Sequence, residues 1–280
     1  MKICIVTDST ADLDAAAVER HGITVVPLNV HFGSEVFQDG VTLSKEEFYA
    51  RLPHSEVLPR TSQPSPAAFQ EVYAQLSNAD AIVSIHISGK LSGTVNAART
   101  GASLLPEGSP PVAVVDADQV TVGLGYAVVA AAEAAATGAD AGGVVEAARE
   151  CAGRARVLFF VDTLEYLQKG GRIGRARAFL GTLLRTKPLL ALVAGEIEPI
   201  ERPRTRQKAI ERLFHQIART PDLVRVAILY GTTPGDAETL AARVREEKPG
   251  VAVAVVQVNP VVGVHTGPGA LGAALLAARR

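Results

Sequence analysis

The chain has 280 residues, a formal net charge of −1 and 20% charged residues. That length allows one large or two modest domains, each with its own core. The near-neutral balance argues against a protein that grips nucleic acid by neutralising phosphates with a basic surface. Hydrophobic residues make up 48% of the chain, yet no stretch reaches the roughly 18 apolar residues of a membrane span.

The N-terminal MKICIVTDST carries one lysine and a short apolar run that stops at Asp8. This predicts a first strand rather than a signal peptide, and a cytoplasmic protein. TDSTADL (7–13) then begins a helix, with Ser9 or Thr10 as N-cap candidates. Asp8 also stands where open α/β sheets bind ligands, at the carboxyl end of a strand, so a catalytic role competes with capping. Strand-length apolar runs recur at ITVVPLNVHF, AIVSIHIS and PVAVVDAD, between segments of helical period at Pro64 to Leu76 and Val95 to Leu105. That alternation predicts a parallel sheet covered on both faces.

In RTSQPSPAAF (60–69), Ser65 before Pro66 makes an N-cap with proline at the first helical position. The hydroxyls of Thr61 and Ser62 are then free for a ligand or a structural contact. SGKLSGT (88–94) is neither the Gly-x-Ser-x-Gly elbow nor the phosphate loop ending in Gly-Lys-Ser/Thr. It reads as a strand end, a Gly-rich turn and a helix start, where free N–H groups favour an anion, although a simple cap competes. An Ala-rich helix (about Val122 to Thr137) and a second helix (about Ala141 to Gly153) complete an α/β unit over residues 1–155.

Residues 156–280 read as an α+β unit. RVLFFVDTLEYLQKGG, KPLLALVAGEIEPIERPR, VRVAILYG and VAVAVVQV are strand-like, while TRQKAIERLFHQIART and PGDAETLAARVREEKP are amphipathic helices. In EYLQKGGRIGRARAFLGTLL a turn at Gly170 and Gly171 puts Arg172, Arg175 and Arg177 ahead of an apolar helix, and Arg202, Arg204, Arg206 and Lys208 form a second basic group. Solvated faces and a docking surface for an acidic or phosphate-bearing partner are the competing readings. GVHTGPGALGAALL (263–276) contains a formal Gly-x-Gly-x-x-Gly, but too little chain follows for a dinucleotide fold. His265, between an apolar strand and a Gly-rich turn that opens a helix, suits a donor aimed at an anion. The two cysteines, Cys4 and Cys151, and six scattered histidines show no metal-ligand spacing, so no metal is expected.

Taken together, VTDSTADL, TSQPSPAAF, LSGTVNAA, VVDADQVTVGLGYAVVAAAEAA, FFVDTLEYLQKGGRI and VVGVHTGPGALG resemble the DegV family of bacterial fatty-acid-binding proteins, in order and nearly end to end. The resemblance implies an N-terminal parallel-sheet α/β domain (1–155) packed on a C-terminal α+β domain (156–280). One long-chain fatty acid lies between them, and the His265 segment returns to that site. It further implies the acyl-carrying subunit of a fatty acid kinase, with no cofactor of its own, whose ATP-dependent partner phosphorylates the carboxylate to acyl phosphate for phospholipid synthesis. Matched residue by residue, the carboxylate ligands fall on Thr61, Ser62, Ser92, Gly93, Thr94 and His265, while Arg172 and Arg204 fall on head-group or partner contacts. The stretches LFFV, AFLGTLL and VAILY are candidates for the tail lining. The alternative is a serine-dependent hydrolase or acyltransferase using Ser92 and His265, with Asp8 or Asp116 as the third member.

Overall fold

The computed structural model describes residues 1–180 and 186–279. In chain order the elements are β1 (Ile3–Asp8), α1 (Ala15–His21), β2 (Thr24–Val26), β3 (Asn29–Phe32), β4 (Glu35–Gln38), α2 (Lys45–Arg51), β5 (Arg60–Ser62), α3 (Pro66–Gln75), β6 (Ala81–His86), α4 (Thr94–Ser103), β7 (Val112–Asp116), α5 (Val122–Ala136) and α6 (Ala141–Arg154). There follow β8 (Ala155–Phe160), α7 (Glu165–Lys169), β9 (Leu189–Val193), β10 (Glu196–Glu201), α8 (Arg206–Arg219), β11 (Leu223–Tyr230), α9 (Pro234–Glu247), β12 (Ala252–Gln257), α10 (Pro260–Thr266) and β13 (Leu271–Ala277).

Among the described residues, three sheets carry the architecture. The first is parallel, in the order β2-β1-β6-β7. Every residue of β6 is buried, as expected of a strand covered on both faces. One face packs on α5 and α6 around Val83, Ile85 and Leu124, and the other on α3 and α4 around Phe69 and Tyr73. The second sheet is mixed, in the order β10-β9-β8-β13-β11-β12. Helices α8 and α9 cover one of its faces, and the other turns toward the first sheet. A small antiparallel sheet, β4-β3-β5, stands beside the two.

Several local expectations need correction. ITVVPLNVHF is two strands in two sheets, because Pro27, which has no N–H to donate, interrupts the ladder between β2 and β3. The cap after β1 is Asp8, which accepts from Thr10 N over a single 3-10 turn at Ser9–Ala11, and Asp14 caps α1. TLEYLQK, expected as strand, contains α7. The order around His265 is the reverse of the expectation, since His265 lies on α10 and LGAALLA is strand β13. The small residues of β13 let it run at the centre of the sheet. A Cβ at Gly272 would come within 2.8 Å of the Phe159 Cβ on β8. Of the helix expected after Arg177, Gly174–Phe179 form a 3-10 helix, and 181–184 lie outside the described residues. Among the described residues no helix is long and apolar enough to cross a membrane, and no group of three or more His, Cys, Asp or Glu side chains could hold a metal ion.

Candidate functional site

A cavity of about 310 Å³ lies where the three sheets meet, within the roughly 300–1,000 Å³ typical of small-ligand sites. Strand alternation decides what faces it. On β8, Val157 and Phe159 line the cavity, while Leu158 and Phe160 point into the core under α8 and α9. On β11 only Leu229 lines it. LFFV and VAILY therefore contribute one lining residue each, Phe159 and Leu229, and are otherwise core, and of AFLGTLL the residues Phe179 and Leu180 belong to the core beside the cavity. Leu28, Ile87, Leu91, Leu192, Ile197 and Val261 complete much of an apolar wall that the sequence did not single out. The β9–β10 hairpin, which brings Leu192 and Ile197, is tied to the first sheet at its tip. Ser88 Oγ donates to Gly195 O (2.8 Å), and Lys90 Nζ donates to Ala194 O (2.8 Å).

Thr61, Ser62, Ser92, Arg172 and His265, five of the eight residues singled out from sequence, line this one cavity. They come from β5, the turn before α4, the turn after α7, and α10. The Thr61 hydroxyl and His265 Nε2 are hydrogen-bonded at 2.9 Å. Ser62 Oγ is bonded to His31 Nε2 at 2.9 Å and accepts from Asn29 Nδ2 at 3.4 Å. Ser92 Oγ and Thr94 Oγ1 share a hydrogen bond of 2.8 Å. Arg172 is held in place by donating from Nε to Leu91 O (2.9 Å) and from Nη1 to Gly170 O (2.8 Å). Gly170 has no side chain, and a Cβ there would collide with the His265 ring, so the GG turn makes room for the imidazole.

Gly93 and Thr94 stand behind the lining. Gly93 leaves space for the Gln63 side chain, which does line the cavity, and Thr94 is buried beneath Ser92. The turn offers fewer free N–H groups than expected. Those of Gly89, Lys90, Leu91 and Ser92 go to Asp116, Ser88 Oγ, Ser88 O and Ser88 O. What is left is the start of α4, where no side chain caps the helix. Arg204 is exposed, between β10 and α8, and is not part of the lining. Within its basic group, Arg206 is bonded to Asp236, Thr233 and Gly269 O, and the Arg202 guanidinium lies over the Phe179 ring.

The electrostatics of the polar end are asymmetric. Burial, and secondarily the Arg172 guanidinium, push the His265 pKa down to about 4. At neutral pH the imidazole is therefore a neutral hydrogen-bonding group, and the positive charge facing the cavity is that of Arg172. His265 Nδ1 is buried and has no partner among the described residues. A second cavity, about 620 Å³, shares Thr61, Arg172 and His265 with the first and adds Arg60 and Lys169, with Glu56 as the one carboxylate among its described lining. The polar end thus has two sides, one apolar and one cationic.

The arrangement does not assemble the triad required of a Ser92–His265 hydrolase. Asp116 accepts from Gly89 N and Asp118 N, and Asp8 is engaged with a different histidine. Asp8 Oδ2 lies 2.9 Å from His86 Nδ1, and His86 Nε2 lies 2.7 Å from Ser84 Oγ, which also accepts from Tyr73 Oη at 2.9 Å. This Ser-His-Asp row has triad connectivity. All three side chains are fully buried in the first sheet, and neither Ser84 nor His86 lines either cavity described above.

Comparison with known proteins agrees with this picture. A family model described as "Uncharacterised protein, DegV family" matches residues 2–278. A DegV domain-containing protein of Streptomyces coelicolor is 44% identical over 275 residues, 96% of each chain. Protein DegV of Bacillus subtilis is 32% identical over 277 residues, covering 97% of this chain and 98% of that one. Among solved structures, a DegV family protein from Thermus thermophilus described as fatty acid binding superposes with a TM-score of 0.90 at 36% identity, over 99% of this chain and all of that one. A stearic-acid-binding protein from Eubacterium ventriosum superposes with a TM-score of 0.90 at 26% identity, over 98% of this chain and 97% of that one.

Proposed function

The chain belongs to the DegV family, and we propose that it binds one long-chain fatty acid, with the tail in the apolar cavity and the carboxylate at Thr61, Ser62, Ser92, Arg172 and His265. The observation that carries this reading is the convergence of four hydrogen-bonding side chains and one guanidinium on a cavity whose remaining lining, Gln63, Thr121 and Thr266 apart, is apolar. Burying a sixteen-carbon tail contributes on the order of 12 kcal/mol before entropy losses, at about 0.8 kcal/mol per methylene. A carboxylate taken out of water is costly unless it is paired and hydrogen-bonded. Arg172 supplies the charge, and the hydroxyls and imidazole supply polar partners.

In this reading the chain is a carrier without turnover of its own. It is a cytoplasmic protein of two units, 1–155 and 156–280, that presents its carboxylate to an ATP-dependent kinase subunit to form acyl phosphate for phospholipid synthesis. The cationic cavity on the outer side of Thr61, Arg172 and His265 suits the approach of a phosphoryl donor. Arg204 is exposed and stands apart from the lining, which suits a contact with the partner better than one with the head group. A displacement titration with a fluorescent fatty acid tests the binding step. Saturable, stoichiometric displacement by hexadecanoic acid but not by hexadecane supports it, and absence of binding across acids of different chain length refutes it.

A further inference from the structure

The TDSTADL segment is not absorbed by this reading, since none of its residues lines the apolar cavity. Its Asp12 has unusual surroundings. The side chain is fully buried, and the backbone is left-handed (φ 49°, ψ 35°). The neighbouring turn rests on α5, where a Cβ at Gly125 would come within 2.6 Å of Ala11 O. The Asp12 carboxylate reaches out of the first unit. Oδ1 accepts from Lys45 Nζ at 2.9 Å, and Oδ2 accepts from Asn259 Nδ2 at 2.9 Å. Lys45 Nζ also donates to Gln257 O at 2.6 Å, so both contacts bear on the segment that leads into α10. Asn259 is the N-cap of α10, with its Oδ1 accepting from Val262 N at 2.9 Å. The helix has only seven residues and carries Val262, His265 and Thr266 into the cavity wall. So short a helix gains little from its own hydrogen bonds, and its placement depends on its ends and its packing.

We propose that Asp12 is a positioning residue for His265. By clamping the Asn259 side chain, it fixes the start of α10 against the first sheet and so sets where the imidazole meets Thr61 and the carboxylate. The inference rests on the fatty acid reading for its functional consequence, though not for the clamp itself. The charged and titratable groups around the clamp are Lys45, Asp39, Asp8 and Tyr49, and the charged group beside His265 is Arg172.

The variants Asp12→Ala and Asn259→Ser separate the clamp from the cap, because serine still accepts from an N-terminal N–H but has no amide to offer Asp12. Two readouts are taken. In the ligand-free protein, the titration of the His265 imidazole by NMR is expected to move up from about 4 toward the free value of about 6.5 in both variants. With hexadecanoic acid, each variant is expected to bind about fivefold more weakly, and to cause no further loss when His265→Ala is already present. An unchanged His265 titration, or losses that multiply in the His265→Ala background, overturns the proposal. Should Asp12→Ala not fold, Asn259→Ser carries the same comparison. A wild-type protein that binds no acid defeats the fatty acid reading alone, because the titration still decides the clamp.

Discussion

His86 and His265 are both bonded to a hydroxyl side chain, yet they are opposites. Both ring nitrogens of His86 have partners, Asp8 and Ser84, in a fully buried row. His265 has one protein partner, Thr61, a guanidinium beside it, and a buried Nδ1 with no partner among the described residues. The first row has the connectivity of a catalytic triad but no substrate access. The second lacks a carboxylate but faces a cavity. Hydrogen-bond saturation marks the structural histidine, and incomplete saturation at a cavity wall marks the one available to a ligand.

The comparison breaks most visibly through His86→Ala. Removing that imidazole leaves Asp8 Oδ2 and Ser84 Oγ each with one partner fewer in a fully buried row, a change of about 1 to 3 kcal/mol in unfolding free energy for each. Chemical denaturation is expected to show this loss, while the protein that remains folded keeps its affinity for fatty acid. Arg172→Ala does the reverse. Loss of a charge-assisted contact is worth about 1.5 to 3 kcal/mol, or roughly ten- to a hundredfold in affinity, and a displacement titration is expected to record it with a smaller change in stability.

The remaining effect is a matter of pH. An unfolded histidine takes up its proton near 6.5, and His265 in the fold only near about 4. Between those values the unfolded chain holds more protons, so this contribution to stability falls as pH drops from 6.5 toward 4. Asp39 acts oppositely. Burial pushes its pKa up from 3.8 to about 7, the folded state holds more protons in that span, and its contribution falls as pH rises. His265→Ala removes only the first contribution. Its denaturation midpoint at pH 5, relative to that at pH 7, is therefore expected to be higher than the same ratio for the wild type.

Much of this was legible in the sequence. Continuous apolar runs gave the parallel strands of the first sheet, and Ser65-Pro66 marked the start of α3 where the structure has it. Five polar residues from distant segments, which the family resemblance groups together, line one cavity. What failed had physical causes. LGAALLA reads as a helix by composition, and it is a strand because it pairs on both sides, with β8 and β11, which are distant in sequence. Of the apolar stretches named as tail lining, LFFV and VAILY contribute one residue each, Phe159 and Leu229, while Leu158, Phe160 and Ile228 face the core on the other side of the sheet, because period-2 strands show one face each way. The clamp between Asp12 and Asn259 joins residues 247 positions apart, and no local pattern announces it. Nor could the pattern around GKLS show that four N–H groups of that turn are spent within the fold.

The central claim is that the cavity holds a fatty acid by its carboxylate, and its most direct test is what the protein carries when purified from a bacterial host. The protein is denatured, and the released lipid is quantified by mass spectrometry for the wild type, Ser92→Ala and His265→Ala. The account predicts about one fatty acid per wild-type chain and less in each variant. An empty wild type that stays empty after incubation with a panel of acids, or equal loading in all three proteins, would contradict it.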